Sequence, residues 1–117
     1  MNALIVTQFL EDFKVKMRIR DIIFMDDRAK NTKALLLLEI SPGERKKIIE
    51  GLLLEDYSEG PLADKQFLGN DLWVFGKVVK LHEVYIKISL GFPNKRTICV
   101  SFHVAEYPMN YPFKSKS

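Results

Sequence analysis

The chain has 117 residues, of which 47% are apolar and 28% are charged, a composition typical of one folded domain and not of a disordered chain. No apolar run approaches the ~20 residues that a membrane-spanning helix needs. The apolar stretch Met1–Val6 lacks a preceding basic segment and is followed by Glu11 and Asp12, so we expect no secretory signal peptide. Cys99 is the only cysteine, which excludes an internal disulfide and fits a reducing, cytoplasmic setting.

The net charge of +3 is unevenly distributed along the chain. Residues 1–60 contain ten Lys/Arg and eleven Asp/Glu, whereas residues 61–117 contain eight and four. A basic excess in the second half suits a polyanionic partner such as RNA. Ordinary solubility charge is the alternative interpretation.

The first element is predicted to be an amphipathic helix with Thr7 as its N-cap. One apolar stripe at helical spacing defines its buried face, formed by Val6, Phe9, Leu10, Phe13 and Met17. The run Ile22–Met25 then indicates a strand or an extended entry into the core. After it, Asn31 is expected to cap a short helix over residues 32–39.

A further helix is predicted from Pro42 to about Leu54. The sequence Ser41-Pro42-Gly43-Glu44 contains the residues of a capping box, with proline at the first helical position. The following stretch, Glu55–Asn70, is predicted to be the longest irregular segment, because Gly60-Pro61 and Gly69-Asn70 are turn signals. Within it, we expect Tyr57–Asn70 to be less ordered than the sheet and to lie beside the substrate face.

Three strands of one antiparallel sheet are predicted over Leu72–Leu81, Glu83–Leu90 and Thr97–His103. Alternation gives each of the last two strands a core face and a polar face. The predicted core faces contain Val84, Ile86, Ile88, Leu90, Ile98, Val100 and Phe102. The predicted polar faces contain Glu83, Tyr85, Lys87, Ser89, Thr97, Cys99, Ser101 and His103. The sequence therefore predicts a single α+β domain over residues 1–117, an antiparallel β-sheet with two to three helices packed on one face.

The first hairpin decides which lysine lies beside Tyr85. A three-residue loop from Lys80 to His82 pairs Lys77 with Tyr85, whereas a two-residue loop at Leu81-His82 pairs Lys80 with it. The longer loop is favoured, because no Asn-Gly marks a tight turn. Beyond the sheet, prolines exclude a regular central strand, but the segment is too apolar for a free tail and should pack back on the domain; its apolar side chains are Tyr107, Met109, Tyr111 and Phe113.

Signatures of most enzyme classes are absent from the sequence. It has no cysteine pair, no two histidines at ligand spacing and no glycine-rich phosphate loop, so neither a metal nor a cofactor is expected. RNA cleavage needs no metal, because RNA supplies its own 2′-hydroxyl nucleophile and requires only a base, an acid and cations around the phosphate. Tyr85, Lys87 and His103 have these chemistries. The alternatives are a structural histidine, a solvated Tyr-Lys face, and a core role for Trp73 and Phe75 in place of base stacking.

From about Lys30 to His103 the chain resembles the motility quorum-sensing regulator (MqsR) toxins, the ribonucleases of type II toxin–antitoxin pairs with a RelE-like fold. The resemblance is carried, in order, by Ile48-Ile49-Glu50-Gly51-Leu52, Glu55-Asp56-Tyr57, Trp73, Glu83-Val84-Tyr85-Ile86-Lys87-Ile88 and Ile98-Cys99-Val100-Ser101-Phe102. It implies metal-independent cleavage of mRNA. It also implies a cognate antitoxin protein that binds zinc and DNA, with no membrane and no small-molecule cofactor involved.

The family's functional tyrosine falls on Tyr85, and Lys87 follows it on the same face. Three positions depart from the family pattern: Glu59 and His103 stand where the family has lysine, and Val74 stands where it has glutamine. Glu59 reverses a charge, whereas His103 can replace a lysine in acid–base work.

The resulting hypothesis assigns catalysis to Tyr85, His103 and Lys87. RNA binding is assigned to four further cations, Lys77, Lys80, Lys95 and Arg96. The alternatives are a catalytically inactive RNA- or protein-binding domain of the same fold, favoured by Glu59 and Val74, and a plain interaction protein.

Overall fold

A computed structural model describes residues 1–64 and 70–115. Its helices are α1 (Ala3–Arg20), α2 (Ala29–Leu38) and α3 (Pro42–Glu50), and a 3-10 turn at Leu54–Asp56 follows α3. Its strands are β1 (Ile22–Phe24), β2 (Tyr57–Leu62), β3 (Leu72–Val79), β4 (His82–Ser89) and β5 (Thr97–Val104).

The five strands form one sheet in the order β1-β5-β4-β3-β2. The α+β class is confirmed, but the sheet is mixed and not wholly antiparallel, because β1 runs parallel to β5 and pairs Ile22 with Thr97. Parallel neighbours need a long crossover, which is provided here by the chain from α2 to β4. Within the described ranges, no helix has the length and apolar character required to cross a membrane.

The core lies on one face of the sheet, under α1. Every side chain of the predicted α1 stripe is buried, and Phe9 stacks on Trp73 with ring centroids 4.5 Å apart. Trp73 and Phe75 belong to the core. This agrees with the alternative given above, in which they have a core role in place of base stacking. Ala34 and Leu38 of α2 and Ile49 of α3 join the same cluster.

The predicted start of α3 is confirmed, whereas the predicted start of α1 is wrong. α1 begins earlier than expected: Asn2, and not Thr7, is its N-cap, and the Asn2 side chain accepts the Leu4 N–H at 2.7 Å. The apolar stripe did not predict this earlier start, because the side chains of the first turn, such as Leu4 and Ile5, are exposed. The capping box of α3 is confirmed, since Ser41 and Glu44 exchange two hydrogen bonds of 3.1 Å. α3 ends at Glu50 and not at Leu54, and Gly51, a poor helix former, occupies its C-cap position.

Part of the stretch predicted to be irregular is strand β2. Tyr57 pairs with Phe75 and makes an edge-on ring contact with it at 5.9 Å, so an aromatic core contact fixes the start of the strand. Two register shifts interrupt the ladder after Tyr57, which is why no regular alternation marks this strand in the sequence. Pro61 is tolerated because β2 lies at the sheet edge. Residues 65–69 of the predicted loop lie outside the described residues, and its mobility stays a prediction.

A β-bulge in β5 changes which of its side chains face the core. Lys87 pairs with Ser101 and Ile88 pairs with Cys99, so Val100 is an extra residue between the two pairs. The prediction that Cys99 shares the polar face with Ser101 and His103 is therefore wrong. Cys99 is fully buried in the core.

The same bulge also reverses which faces of the sheet Thr97 and Ile98, the residues before it, occupy. Ile98 pairs with Ser89 on the polar side of the sheet and is half-buried there, contrary to its predicted place on the core face. Thr97 is buried and takes the face that Ile98 was expected to take. After the bulge the predicted alternation is restored, with Phe102 in the core.

Asn31 does not cap a helix; Arg28 occupies the N-cap position of α2 and Asn31 lies inside the helix. Its buried carboxamide hydrogen-bonds the backbone of β5, donating to Val100 O at 2.9 Å and accepting from Phe102 N at 3.0 Å. It also donates to Met25 O at 2.9 Å. A side chain thus continues the backbone ladder of β5 where β1 ends.

Asn31→Ala is predicted to destabilise the fold by about 2–4 kcal/mol, because each buried backbone group left without a partner costs about 1–3 kcal/mol. Urea unfolding followed by circular dichroism measures the loss. Thr32→Ala, at an exposed position of the same helix, serves as the control and should change stability by less than about 0.5 kcal/mol. An Asn31→Ala protein as stable as the control would show that the carboxamide is dispensable.

Burial raises the pKa of the Cys99 thiol from 9.0 to about 12. The folded protein should therefore resist thiol reagents at mildly alkaline pH, where the urea-unfolded protein reacts readily. Because the unfolded chain loses its thiol proton first, the contribution of Cys99 to stability is constant below pH 9 and is lost as the pH rises from 9 towards about 12. Equal labelling rates for folded and unfolded protein would contradict the buried position.

Candidate functional site: a cleft on the polar face of the sheet

The polar face of the sheet forms the floor of a cleft of about 1170 Å³. The floor contains Tyr85, Lys87, Ser101 and His103, from β4 and β5. One wall is formed by residues 25–31, which include the first turn of α2, and the other by residues 58–59 of β2. Residues 106–110, after the last strand, close one end. Three of the predicted catalytic side chains, Tyr85, Lys87 and His103, are thereby brought together as the strand alternation predicted.

Tyr85 and His103 are direct cross-strand partners, and their rings stack with centroids 5.2 Å apart and an interplanar angle of 15°. The Nδ1 atom of His103 lies 3.0 Å from the carbonyl oxygen of Val104. Because a carbonyl only accepts, Nδ1 donates this hydrogen bond. Nε2 is then the nitrogen that is left to exchange a proton with a molecule in the cleft.

The Tyr85 hydroxyl is held in its protonated form. Burial, and secondly the negative charge of Glu59, raise the pKa of Tyr85 above its ordinary value. At neutral pH it is therefore a hydrogen-bond donor. The Lys87 ammonium lies 5.7 Å from the centroid of the Tyr85 ring, so a cation and a neutral donor stand side by side on the floor.

Neither Lys77 nor Lys80 joins this cluster, contrary to the prediction. β3 and β4 are joined by the two-residue turn Lys80-Leu81, in which both residues have positive φ, of 48° and 73°. This primed turn fits the twist of a hairpin even without Asn-Gly, and it places Gly76 opposite Tyr85. Lys77 lies on the core side and forms an ion pair with Asp56 at 3.0 Å.

The other predicted RNA-binding cations also lie away from the cleft. Lys80 donates to Glu39 O at 2.8 Å at the hairpin end of the sheet. Lys95 and Arg96 are exposed in the connection before β5, at the opposite end of that strand from His103. Their role in binding RNA stays a prediction, and it concerns a surface separate from the cleft floor.

Five charged residues of the described cleft lining were not assigned to a site from the sequence: Asp27, Arg28, Lys30, Glu59 and Glu106. Arg28 and Lys30 come from the wall at the start of α2, and Lys30 forms an ion pair with Glu106 that connects this wall to the chain after β5. A hydrogen bond from Lys30 holds the pKa of the Glu106 carboxyl below its usual value. Only the structure could place these residues, because no local pattern links residues 28–30 with residue 106.

The cleft is balanced in charge and not uniformly basic. Its lining contains three side chains of Lys or Arg and three carboxylates, among them Glu59. Among the described residues, the basic excess of the second half of the chain therefore does not collect here. Positive charge is local to Lys87 and to the α2 wall, which suits one phosphate group better than a long polyanion.

The segment formed by residues 105–113 crosses the polar face, where contacts with Glu83 and Tyr57 hold it. The Glu83 carboxylate accepts the Met109 N–H at 3.1 Å and the Tyr111 hydroxyl at 2.7 Å. Farther along, the Phe113 ring packs on Tyr57 with centroids 5.5 Å apart. The prediction that this segment packs back on the domain is confirmed for Met109, Tyr111 and Phe113, whereas Tyr107 is exposed. Burial and hydrogen bonding to Glu83 raise the pKa of Tyr111, which keeps its hydroxyl a donor.

Gly76 permits this crossing, because a Cβ at its position would overlap the Tyr111 hydroxyl and the Met109 sulfur. Gly76→Ala is therefore predicted to destabilise the protein by about 1–3 kcal/mol, the usual cost of overpacking. Gly43→Ala is the control, since an added Cβ there has one neighbour, Ser41 Oγ, at 3.8 Å. Thermal unfolding of both variants tests the difference. Equal melting temperatures would show that the segment does not pack on Gly76.

In the part of the chain that the structure describes, no group of three or more His, Cys, Asp or Glu side chains is placed to hold a metal ion. No protein-family model matches this chain, and comparisons with curated proteins and with solved structures return no significant match. The resemblance to the MqsR toxins thus stays a prediction, and a function has to be argued from the cleft itself.

Proposed function

We propose that this protein is the toxin of a type II toxin–antitoxin system and cleaves mRNA in the cleft without a metal. The observation that supports the proposal most directly is the stacked Tyr85–His103 pair beside Lys87 on the cleft floor. These three side chains supply proton transfer, a neutral hydrogen-bond donor and a cation, which are the groups that phosphodiester cleavage by the 2′-hydroxyl requires.

Each side chain has a role that follows from its surroundings. His103 transfers a proton through Nε2, because Nδ1 is occupied by the Val104 carbonyl. Tyr85, whose raised pKa keeps it protonated, donates to a phosphate oxygen. Lys87 neutralises the negative charge that develops on the phosphate in the transition state.

The proposal extends to location and partners. The protein acts in the cytoplasm, where mRNA is its substrate. A cognate antitoxin, a zinc- and DNA-binding protein, holds it in check. These extensions follow from the resemblance to the toxin family, and the cleft mouth is where an antitoxin would block RNA most directly.

His103→Ala and Tyr85→Phe are each predicted to lower the rate of RNA cleavage, His103→Ala by about 10²–10⁴-fold, the usual contribution of a general acid or base. The measurement is cleavage of a long RNA by each purified, folded variant in the presence of EDTA. His82→Ala is the matched control, since this exposed histidine lies on β4 outside the cleft lining and should leave the rate unchanged.

Two results would remove parts of the proposal. Full activity of both cleft variants would remove the assigned roles of Tyr85 and His103. Loss of wild-type activity in EDTA would remove the metal-free mechanism while leaving an RNA-cleaving function in place.

A second candidate function is a catalytically inactive domain of the same fold that binds RNA or protein. The balanced charge of the cleft and the acidic Glu59 in its lining favour it. Induced expression in a bacterial host separates the two functions. Growth arrest that depends on His103 and is relieved by the co-expressed antitoxin supports the toxin, whereas RNA binding without arrest or cleavage supports the inactive domain.

A further inference from the structure

The stacked pair leaves the proposed reaction without one of its two proton-transfer groups. The 2′-oxygen attacks phosphorus from one side and the 5′-oxygen leaves from the other, so the base and the acid must lie on opposite sides of the phosphate. Tyr85 and His103 stack face to face at 5.2 Å and 15°, which leaves no room for a phosphate between them. They act from the same side, and Tyr85 is held protonated.

Of the three carboxylates in the described cleft lining, only one is suited to be the missing proton-transfer group. Glu106 is engaged by Lys30 in an ion pair that lowers its pKa, which makes it a weak base. Asp27 belongs to the wall beside β5, the same side as His103. Glu59 is the remaining carboxylate of the described lining, and it comes from β2, on the opposite side of the floor.

Strand register aligns Glu59 with the proposed phosphate position. Glu59 pairs with Val74, and Val74 pairs with Lys87, so the three residues form one row across the polar face. With strands about 4.8 Å apart, the Glu59 and Lys87 backbones are separated by about 10 Å. Two side chains of this length can reach a common point over the row, and Val74 between them is fully buried and leaves no polar group there.

We propose that Glu59 is the general base and His103 the general acid of the reaction, an assignment that rests on the proposed function. A phosphate over Lys87 has Glu59 on one side and His103 on the other. Glu59 is exposed and lines the cleft, and its negative charge contributes to the raised pKa of Tyr85. No residue outside the described lining is required.

The step balances without a co-reactant. The Glu59 carboxylate takes the proton of the 2′-hydroxyl as the 2′-oxygen forms a bond to phosphorus. The bond from phosphorus to the 5′-oxygen breaks, and this oxygen takes a proton from the imidazolium of His103. The products are a 2′,3′-cyclic phosphate and a 5′-hydroxyl, and both side chains return to their starting states by exchanging protons with water.

The test separates base from acid by changing the leaving group. A cleavage position is first mapped on a long RNA with the wild-type protein. Short RNAs spanning that position are then made with the natural 5′-oxygen or with a bridging 5′-sulfur, which leaves as a thiolate and needs no acid. Single-turnover rates are measured for wild type, Glu59→Gln and His103→Ala. Glu11→Gln is the control, because it makes the same change at an exposed residue of α1, and its rate should match that of the wild type.

The expected result is that Glu59→Gln lowers the rate by about 10²–10⁴-fold on both RNAs, because the base is needed with either leaving group. His103→Ala should lose a similar factor on the oxygen substrate and regain most of it on the sulfur substrate. Glu59→Gln removes a charge at an exposed position, so circular dichroism should show an unchanged fold.

Three results would overturn the inference. A wild-type rate for Glu59→Gln would remove its role as the base while leaving Tyr85 and His103 in theirs. Rescue of Glu59→Gln, and not of His103→Ala, by the sulfur substrate would reverse the two assignments. Absence of cleavage by the wild-type protein would overturn the proposed function itself, and this inference with it.

Discussion

A single carboxamide, that of Asn31, fixes α2 to the sheet at the point where β1 stops. It hydrogen-bonds backbone groups of Val100 and Phe102 in β5, and so takes the place of a neighbouring strand beside the bulge. The wall of the cleft formed by residues 28–31 is the first turn of the same helix. The position of that wall relative to the floor therefore depends on hydrogen bonds made by one buried side chain, which are strong because water cannot compete for them.

The cleft combines a rigid floor with walls from distant parts of the chain. Hydrogen-bonded strands hold Tyr85, Lys87 and His103 in register, which is the kind of support that a reactive arrangement needs. The walls depend on individual polar contacts: Asn31 for α2, Glu83 for the segment after β5, and the ion pair of Lys30 with Glu106 between them. Changes in the walls can therefore alter access to the cleft without altering the floor.

Local patterns predicted much of this fold. The α1 stripe, the capping box at Ser41 and the alternation of β4 depend on neighbours a few residues apart, and each was found as predicted. The candidate site was predicted only where it follows from that alternation, in Tyr85, Lys87 and His103. Glu59, Lys30 and Glu106 were missed as cleft residues because tertiary contacts place them there. Asn31 was misread because a carboxamide that can cap a helix can also replace a strand, and sequence alone does not distinguish these uses.

The extra residue in β5 has a consequence for how this chain can change over evolutionary time. Substitutions alter one side chain, whereas loss of the single residue Val100 would remove the bulge and leave an uninterrupted ladder in which Cys99 still pairs with Ile88 and Ser101 with Lys87. An alignment that matches β5 to an uninterrupted strand without a gap at Val100 compares side chains from opposite faces on one side of the bulge. A homologue that is one residue shorter at this position can therefore keep the same cleft floor, and a gap opposite Val100 is the alignment that preserves both faces of the strand.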